Sequence, residues 1–416
     1  MSVAIINIKG LVNTRKDTKL LRGKDLAELP VVENAYVIVE GDQIADYGPM
    51  KSFNYKSDKN TIDASGKFVF PAWCDSHTHL VFAATREEEF VDKIKGRSYA
   101  EIAAKGGGIL NSADKLNKLS EDELFALSWK RLQEVSKTGT GAIEIKSGYG
   151  LSLEGELKML RVIKKLKQKS GMLIRSTFLG AHTYPAQFKE AHHDYINLII
   201  DEMLPAIQKE KLADYIDVFC EEGFFSQAET EIICKAGLQY GLIPKIHANQ
   251  LNRSGGVQVG VKLKARSVDH LENVGEEEIR LLAKHTSTIA TLLPTAALFL
   301  RLPVPPARQL IDAEASVAIA SDYNPGSSPG SNMNFVVSLS CIQMRMLPEE
   351  AINAATINGA FAMDVQDQAG SVTVGKKANL FITKIIPSVA YLPYSFSTDC
   401  IERVMIAGDW RVFNEF

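Results

Sequence analysis

The sequence predicts an α/β protein, a (β/α)8 TIM-like barrel with a small β-sandwich domain formed by both chain termini. Three observations point to it. About eight apolar runs end in polar residues and alternate with amphipathic stretches, the pattern of βα units around a parallel sheet. The opening and closing segments read instead as short strands joined by tight turns. Histidines and carboxylates recur where the apolar runs stop, and in a barrel that end of each strand faces the active site.

Taken in order, residues 35–40 read as a strand, Gly41-Asp42 as a turn and 43–47 as a second strand. The eight barrel runs are 68–77, 141–146, 172–182, 215–220, 242–247, 267–270, 288–292 and 317–322. Between the first two, 100–135 is mostly helical. The glycine run Gly106 to Gly108 interrupts it and reads as a mobile loop, since no Gly-Lys-Ser/Thr follows to make a phosphate cradle. At the far end, 378–382 and 403–410 again read as strand, turn and strand. This places a composite β domain at 1–66 and 368–416, with the barrel at 67–367.

The chain has 416 residues, 45% hydrophobic and 23% charged, which suits a folded globular protein with a large core. A formal net charge of -3 leaves no Lys/Arg excess to neutralise phosphates, so nucleic acid is not expected as a partner. Lys164, Lys165, Lys167 and Lys169 cluster on a helical stretch and read as a solvated face. No secretory signal pattern opens the sequence, and no apolar run has the length to span a bilayer. The cysteines are odd in number, scattered and never spaced as CxxC. A cytoplasmic protein acting on a small molecule, with no membrane partner, is the expectation, and a homodimer is compatible with it.

The chemistry starts at Asp75-Ser76-His77-Thr78-His79. Strand side chains repeat with period two, so His77 and His79 project from one face and can grip one ion. A lone HxH has ordinary explanations more often than not. The reading changes with the other strand ends, because His247, His270 and Asp322 close the fifth, sixth and eighth runs and converge above the barrel axis. Three imidazoles and a carboxylate suit one Zn2+, Fe3+ or Fe2+ per chain with a position left for water, whose pKa such an ion lowers to about 7. Asp322 and His270 are then the groups to accept and relay its proton.

Further motifs accompany that constellation. They are Ile62-Asp63-Ala64-Ser65-Gly66-Lys67 before Pro71, Glu144-Ile145-Lys146-Ser147-Gly148-Tyr149-Gly150, Phe178-Leu179-Gly180-Ala181-His182, Asp217-Val218-Phe219-Cys220-Glu221, Ile246-His247-Ala248-Asn249-Gln250, Ser321-Asp322-Tyr323-Asn324-Pro325-Gly326-Ser327, and Gly370-Ser371-Val372 with Val374-Gly375-Lys376. With them the chain resembles the amidohydrolase superfamily over nearly its whole length, and most closely its members that act in histidine degradation. The resemblance implies His77, His79, His247 and Asp322 as metal ligands. It implies Arg86, Tyr149, His182, Gln250, Asn324, Gly326 and Ser327 as substrate contacts. The reaction it implies is hydrolysis of the ring amide of 4-imidazolone-5-propanoate to N-formimidoyl-L-glutamate.

Each of these also has a plainer reading. Arg86 can clamp a propionate carboxylate or lie on the surface among Glu87, Glu88 and Glu89. Tyr149 can be a packing residue, and Pro325-Gly326 a simple turn. His182 can act as a donor to the ring carbonyl or to the substrate carboxylate. Two departures from the resemblance stand out. Ala72 follows Pro71 where glycine is common, and Gln250 stands where some members carry a carboxylate, so it can hold substrate or water but cannot act as a base. A two-metal hydantoinase-like or dihydroorotase-like enzyme would need a lysine in the fourth run, which 215–221 lacks. A deaminase would share the ligands but not the need for a cation such as Arg86. A non-catalytic barrel would be free to lose a ligand, and none is missing.

Overall fold

The structure, a computed structural model, describes residues 2–54, 60–97 and 107–411. Two eight-stranded sheets organise it. The first is parallel throughout, each strand hydrogen-bonded to the next: Trp73–Asp75, Thr140–Lys146, Leu173–Ala181, Tyr215–Cys220, Ile243–Ala248, Ser267–His270, Ile289–Leu292 and Val317–Ile319. Helices follow the strands as the alternation predicts. Such strands are buried on both faces, which is why they read as apolar runs. Closure of the barrel falls to residues at or just past the ends of its first and last strands. The Asp75 carboxylate accepts from the Ser321 N–H at 2.9 Å and from its hydroxyl at 2.5 Å, Asp322 N–H donates to His77 O at 3.0 Å, and His79 N–H donates to Tyr323 O at 2.9 Å.

The second sheet joins the two ends of the chain, as expected. Its order is Asp409–Trp410, Ile401–Ile406, Leu380–Thr383, Phe68–Pro71, Ser2–Val12, Val31–Glu40 and Gln43–Pro49, with Thr61–Asp63 alongside Ser2–Val12. Val3, Ile5, Val37, Val39, Val69, Leu380, Ile382 and Met405 belong to one buried apolar cluster of this sheet.

The run expected as one barrel strand, 68–77, is in fact two strands in two sheets. Phe68–Pro71 pairs parallel with Ser2–Val12 and antiparallel with Leu380–Thr383, and the barrel begins only at Trp73. Ala72 is the crossing point, its N–H turned to Asn379 O at 2.8 Å. Phe70 stacks on Phe381 at 5.0 Å while Trp73 lies against the same ring at 5.1 Å, so one apolar core receives both halves. A run that is apolar on every side carries no mark of where one sheet hands over to the other.

The helical stretch after the first strand is two helices, Gly108–Lys118 and Glu121–Lys137, the second opened by a Ser120/Glu123 capping box. Of the glycine run, Gly106 lies outside the described residues, and Gly108 donates its N–H to Glu89 Oε1 at 2.9 Å. Lys164, Lys167 and Lys169 are exposed on Leu153–Ser170, as expected of a solvated face, and Lys165 is half-buried against Glu121. All five cysteines are free thiols. Among the described residues no helix is long and apolar enough to cross a membrane.

The helix Ile357–Ala362 packs directly under the first barrel strand. A Cβ on Gly359 would sit 2.5 Å from the Cys74 carbonyl oxygen, so only glycine allows this approach. Gly359→Ala should therefore cost about 1–3 kcal/mol, the range of overpacking in a filled core. Denaturant unfolding should show a lower midpoint than the parent protein, and an unchanged midpoint would mean that strand and helix part without penalty.

Candidate metal centre and active-site cavity

His77 and His79 follow the first strand, and His247 and His270 end the fifth and sixth. Asp322 lies three residues past the eighth. All five are buried at one point over the barrel mouth. Asp322 Oδ1 is 3.5 Å from His77 Nε2 and 3.5 Å from His79 Nε2, and the Nε2 atoms of His79 and His247 face each other at 3.3 Å. His270 joins His77 and Asp322 in an overlapping cluster of ligand atoms within 4.8 Å. Holding these groups together bends the backbone, with His270 at φ +85° and Asp322 at φ +51°. Left-handed conformations of this kind cost about 1–3 kcal/mol each and persist where the surroundings enforce them.

Which nitrogen faces inward is fixed from behind. His77 Nδ1 is 2.6 Å from Asp269 Oδ2, and His247 Nδ1 is 2.9 Å from Asp217 Oδ2, so in each ring Nδ1 carries the hydrogen and Nε2 keeps its lone pair. Burial, with Lys146 nearby, holds His77 well below its ordinary pKa; burial, with His182 nearby, does the same for His79. His77 Nε2 has no hydrogen-bond partner among the described residues although fully buried. Neutral imidazole lone pairs aimed at one another are unfavourable unless a cation lies between them. Four ligand atoms at about 2.0–2.1 Å from one tetrahedral ion would be about 3.3–3.4 Å apart. The three spacings between His77 and Asp322, His79 and Asp322, and His79 and His247 come within about 0.2 Å of that, and with two overlapping groups of ligand atoms at the mouth the donors fit a divalent metal.

Beneath lies a charge network inside the barrel. Lys146 Nζ is 2.6 Å from Glu144 Oε1, 2.8 Å from Asp217 Oδ2 and 3.6 Å from Asp269 Oδ2, and Lys245 bonds the other Glu144 oxygen. Burial opposes the Lys146 charge, but the three carboxylates outweigh it and raise its pKa above the usual lysine range. Burial likewise pushes Asp217 up, and His247 and Lys146 beside it hold it well below the ordinary range instead. His270 has its own support, with Nδ1 3.3 Å from Glu272 Oε1. Burial would lower His270, and Glu272 with Asp322 and Asp269 together more than reverse that.

A cavity of about 530 Å³ opens above the metal-facing atoms. Arg86, Tyr149, His182, Gln250, Asn324, Gly326 and Ser327 all line it, as do His79, His247, His270 and Asp322, with His77 beneath. Arg86 is not on the surface. Its side chain is 9% exposed, Nε donates to Ser112 Oγ at 2.9 Å, and Nη2 is buried without a partner among the described residues. The Tyr149 ring lies 5.6 Å from the guanidinium and 6.0 Å from the His79 ring. His182 Nδ1 is 3.0 Å from Gly148 O, which can only accept, and burial pushes its pKa down to about 3. Neutral and with Nδ1–H engaged, His182 offers an acceptor at Nε2, not the donor the sequence suggested. Gln250 is buried, and Asn273 donates to its backbone oxygen at 2.7 Å. Asn324 ties its own loop, accepting from Gly326 N–H at 2.7 Å and Ser327 N–H at 2.8 Å, and the Ser327 hydroxyl reaches Asp322 Oδ2 at 3.2 Å.

Asp217, Asp269, Lys245 and Glu272 carry supporting roles that sequence reasoning did not assign. A signal existed, because Glu144/Lys146 and Lys245/His247 put charges two residues apart on one face of otherwise apolar strands.

Inward-facing histidines and an aspartate at the C-terminal mouth of a (β/α)8 barrel define a metal-dependent hydrolase of the amidohydrolase superfamily. A model of the Amidohydrolase family matches residues 245–411. The fold is shared with E. coli guanine deaminase (TM-score 0.76, 12% identity, all of both chains) and with a mutant atrazine chlorohydrolase from Arthrobacter aurescens complexed with zinc and atraton (TM-score 0.74, 15% identity, 99% of this chain and 95% of that one). Imidazolonepropionase of Christiangramia forsetii is 53% identical and that of Flavobacterium johnsoniae 54%, each over 98% of this chain and 99% of its own length. That of Alkaliphilus oremlandii is 39% identical over 98% of this chain and 97% of its own. The chain belongs to the imidazolonepropionase family.

Lys146 serves two histidines at once, through Asp217 and Asp269. Lys146→Met should weaken zinc binding by about 10–100-fold, the usual effect of losing a group that orients metal ligands. Competition against a chelator measures it, and wild-type affinity in the folded variant would remove Lys146 from the site.

Proposed function

We propose that the protein hydrolyses the ring amide of 4-imidazolone-5-propanoate to N-formimidoyl-L-glutamate, a step of L-histidine degradation, with one zinc or iron ion held by His77, His79, His247 and Asp322. The observation that carries this reading is the pairing, in one cavity, of a neutral-imidazole metal centre with the buried Nη2 of Arg86, which has no hydrogen-bond partner among the described residues. A ring that must be hydrolysed and a carboxylate that must be held are the two things such a cavity accommodates. The names carried by relatives at 53–54% identity support it. A cytoplasmic enzyme with a small-molecule substrate is the setting that fits.

When bound, the ion supplies an acidified water and a counter-charge for the carbonyl oxygen. The chain does the rest. Arg86 holds the propanoate, and Tyr149 packs beside it. His182 Nε2 accepts from the ring N–H, which turns the ring carbonyl toward the metal-facing atoms. Asp322 takes the proton of the attacking water, and His270, backed by Glu272, is placed to pass a proton to the departing ring nitrogen. The water oxygen bonds to the carbonyl carbon, the ring C–N bond breaks, and a new carboxylate stands beside the formimidoyl group. Asn324 keeps Gly326 and Ser327 in place, and Ser327 steadies the Asp322 carboxylate. Gln250 contributes an amide that can hold substrate or water.

A hydantoinase-like, two-ion alternative is not favoured, since Tyr215–Cys220 supplies no lysine and Lys146 is already enclosed by carboxylates. Reaction in oxygen-18 water tests the proposal. NMR and mass spectrometry should find the label in the new α-carboxylate. Label in a formyl group formed from the ring's amidine carbon would mean attack on the other side of the ring nitrogen, and absence of ring opening would end the assignment.

A further inference from the structure

The helix Glu87–Ile94 forms the lip of the cavity and has no buried residue of its own. It nevertheless sends Lys93 inward. Lys93 lines the cavity, and its Nζ donates to Gly326 O at 2.9 Å. That is its only hydrogen bond among the described residues; its Nζ also lies over the Phe299 ring, 5.5 Å from the centroid, which leaves N–H groups of the ammonium for a ligand.

Arg86 reaches the same residue from below. A Cβ on Gly326 would sit 2.4 Å from Arg86 Nη1, so glycine is what leaves room for two cationic heads at one point. The charges around them do not cancel. Among the described residues Glu89 is the carboxylate that faces both cations, with its Oε1 4.0 Å from Arg86 Nε and already accepting from Gly108 N–H. Arg97, farther out, is paired with Asp92 at 3.1 Å. Arg301 lies on the exposed rim, where water and salt screen it. Among the described residues two cations against one carboxylate leave a net positive charge in this half-buried corner, the complement of one further carboxylate.

We propose that Lys93 and Arg86 together form the carboxylate pocket of the cavity, with Lys93 as a specificity-determining residue that contacts the substrate's propanoate. This rests on the reaction proposed above and deepens it. Arg86 gives a planar pair of donors and Lys93 a compact charge on the opposite side, so a carboxylate is gripped from two directions. A neutral side chain of the same size meets two unsatisfied cations and is rejected.

The test compares kcat/KM for 4-imidazolone-5-propanoate and for its side-chain carboxamide, in the metal-loaded wild type, Lys93→Met and Lys93→Arg. The wild type should prefer the carboxylate. Lys93→Met should lose on the order of tenfold or more of that preference, the scale of a charge-assisted contact, and mainly through KM. Lys93→Arg should keep most of it. Equal losses on both substrates would reduce Lys93 to a tether for the Gly326 loop, and an undiminished preference in Lys93→Met would likewise overturn the inference. Melting curves establish folding, and Lys93→Gln takes the place of Lys93→Met if the latter fails to fold. If the wild type opens neither ring, the reaction assignment itself falls; if it opens both and only the preference is unmoved by the substitution, Lys93 alone is misassigned.

Discussion

Under the barrel mouth the Lys146 ammonium lies among Glu144, Asp217 and Asp269, and two of those carboxylates each hold a metal-facing histidine by its Nδ1. An ammonium so deep in the barrel persists only because it is surrounded by carboxylates; removing one partner of a buried pair typically costs about 3–5 kcal/mol. The same contacts decide chemistry. With Nδ1–H committed to a carboxylate, each ring must present Nε2 as a lone pair, so tautomer, orientation and ligand basicity follow from one buried network. Lys245, bonded to Glu144 and to Ser76 O at 3.0 Å, ties that network to the backbone just ahead of His77.

The barrel closes through the same residues. His77 O accepts from Asp322 N–H, and His79 N–H donates to Tyr323 O, so the segments that carry three of the four proposed ligands are also the seam between the first and last strands. Asp75 and Ser321 reinforce it one step below. A disturbance of the seam is thus a disturbance of the site, and the close packing of Gly359 on Cys74 places the first strand from the outside.

Much of this could be read from the chain. The period-two spacing of His77 and His79 and the polar ends of the apolar runs located the centre, because strand geometry converts sequence spacing into direction. The terminal sheet was legible from its turns. The division of 68–77 between two sheets was not, since an unbroken apolar run looks the same in either. Nor was the burial of Arg86, whose neighbours Glu87, Glu88 and Glu89 suggest a surface helix; the approach of Ser112 on the helix Gly108–Lys118 and of Gly326 on the loop after the last barrel strand encloses it. The donor or acceptor character of His182 depends on Gly148 O, a backbone atom that residue identity does not report.

The central claim is that one ion is shared by ligands whose orientation the barrel interior sets. A crystal structure of the zinc-loaded protein, with anomalous data on both sides of the zinc edge, tests it most directly. One peak per chain is expected, within bonding distance of Nε2 of His77, His79 and His247 and of the Asp322 carboxylate, with Asp269 and Asp217 still on the Nδ1 atoms of His77 and His247. Two peaks at the mouth, or a single peak that Asp322 does not touch, would contradict the account.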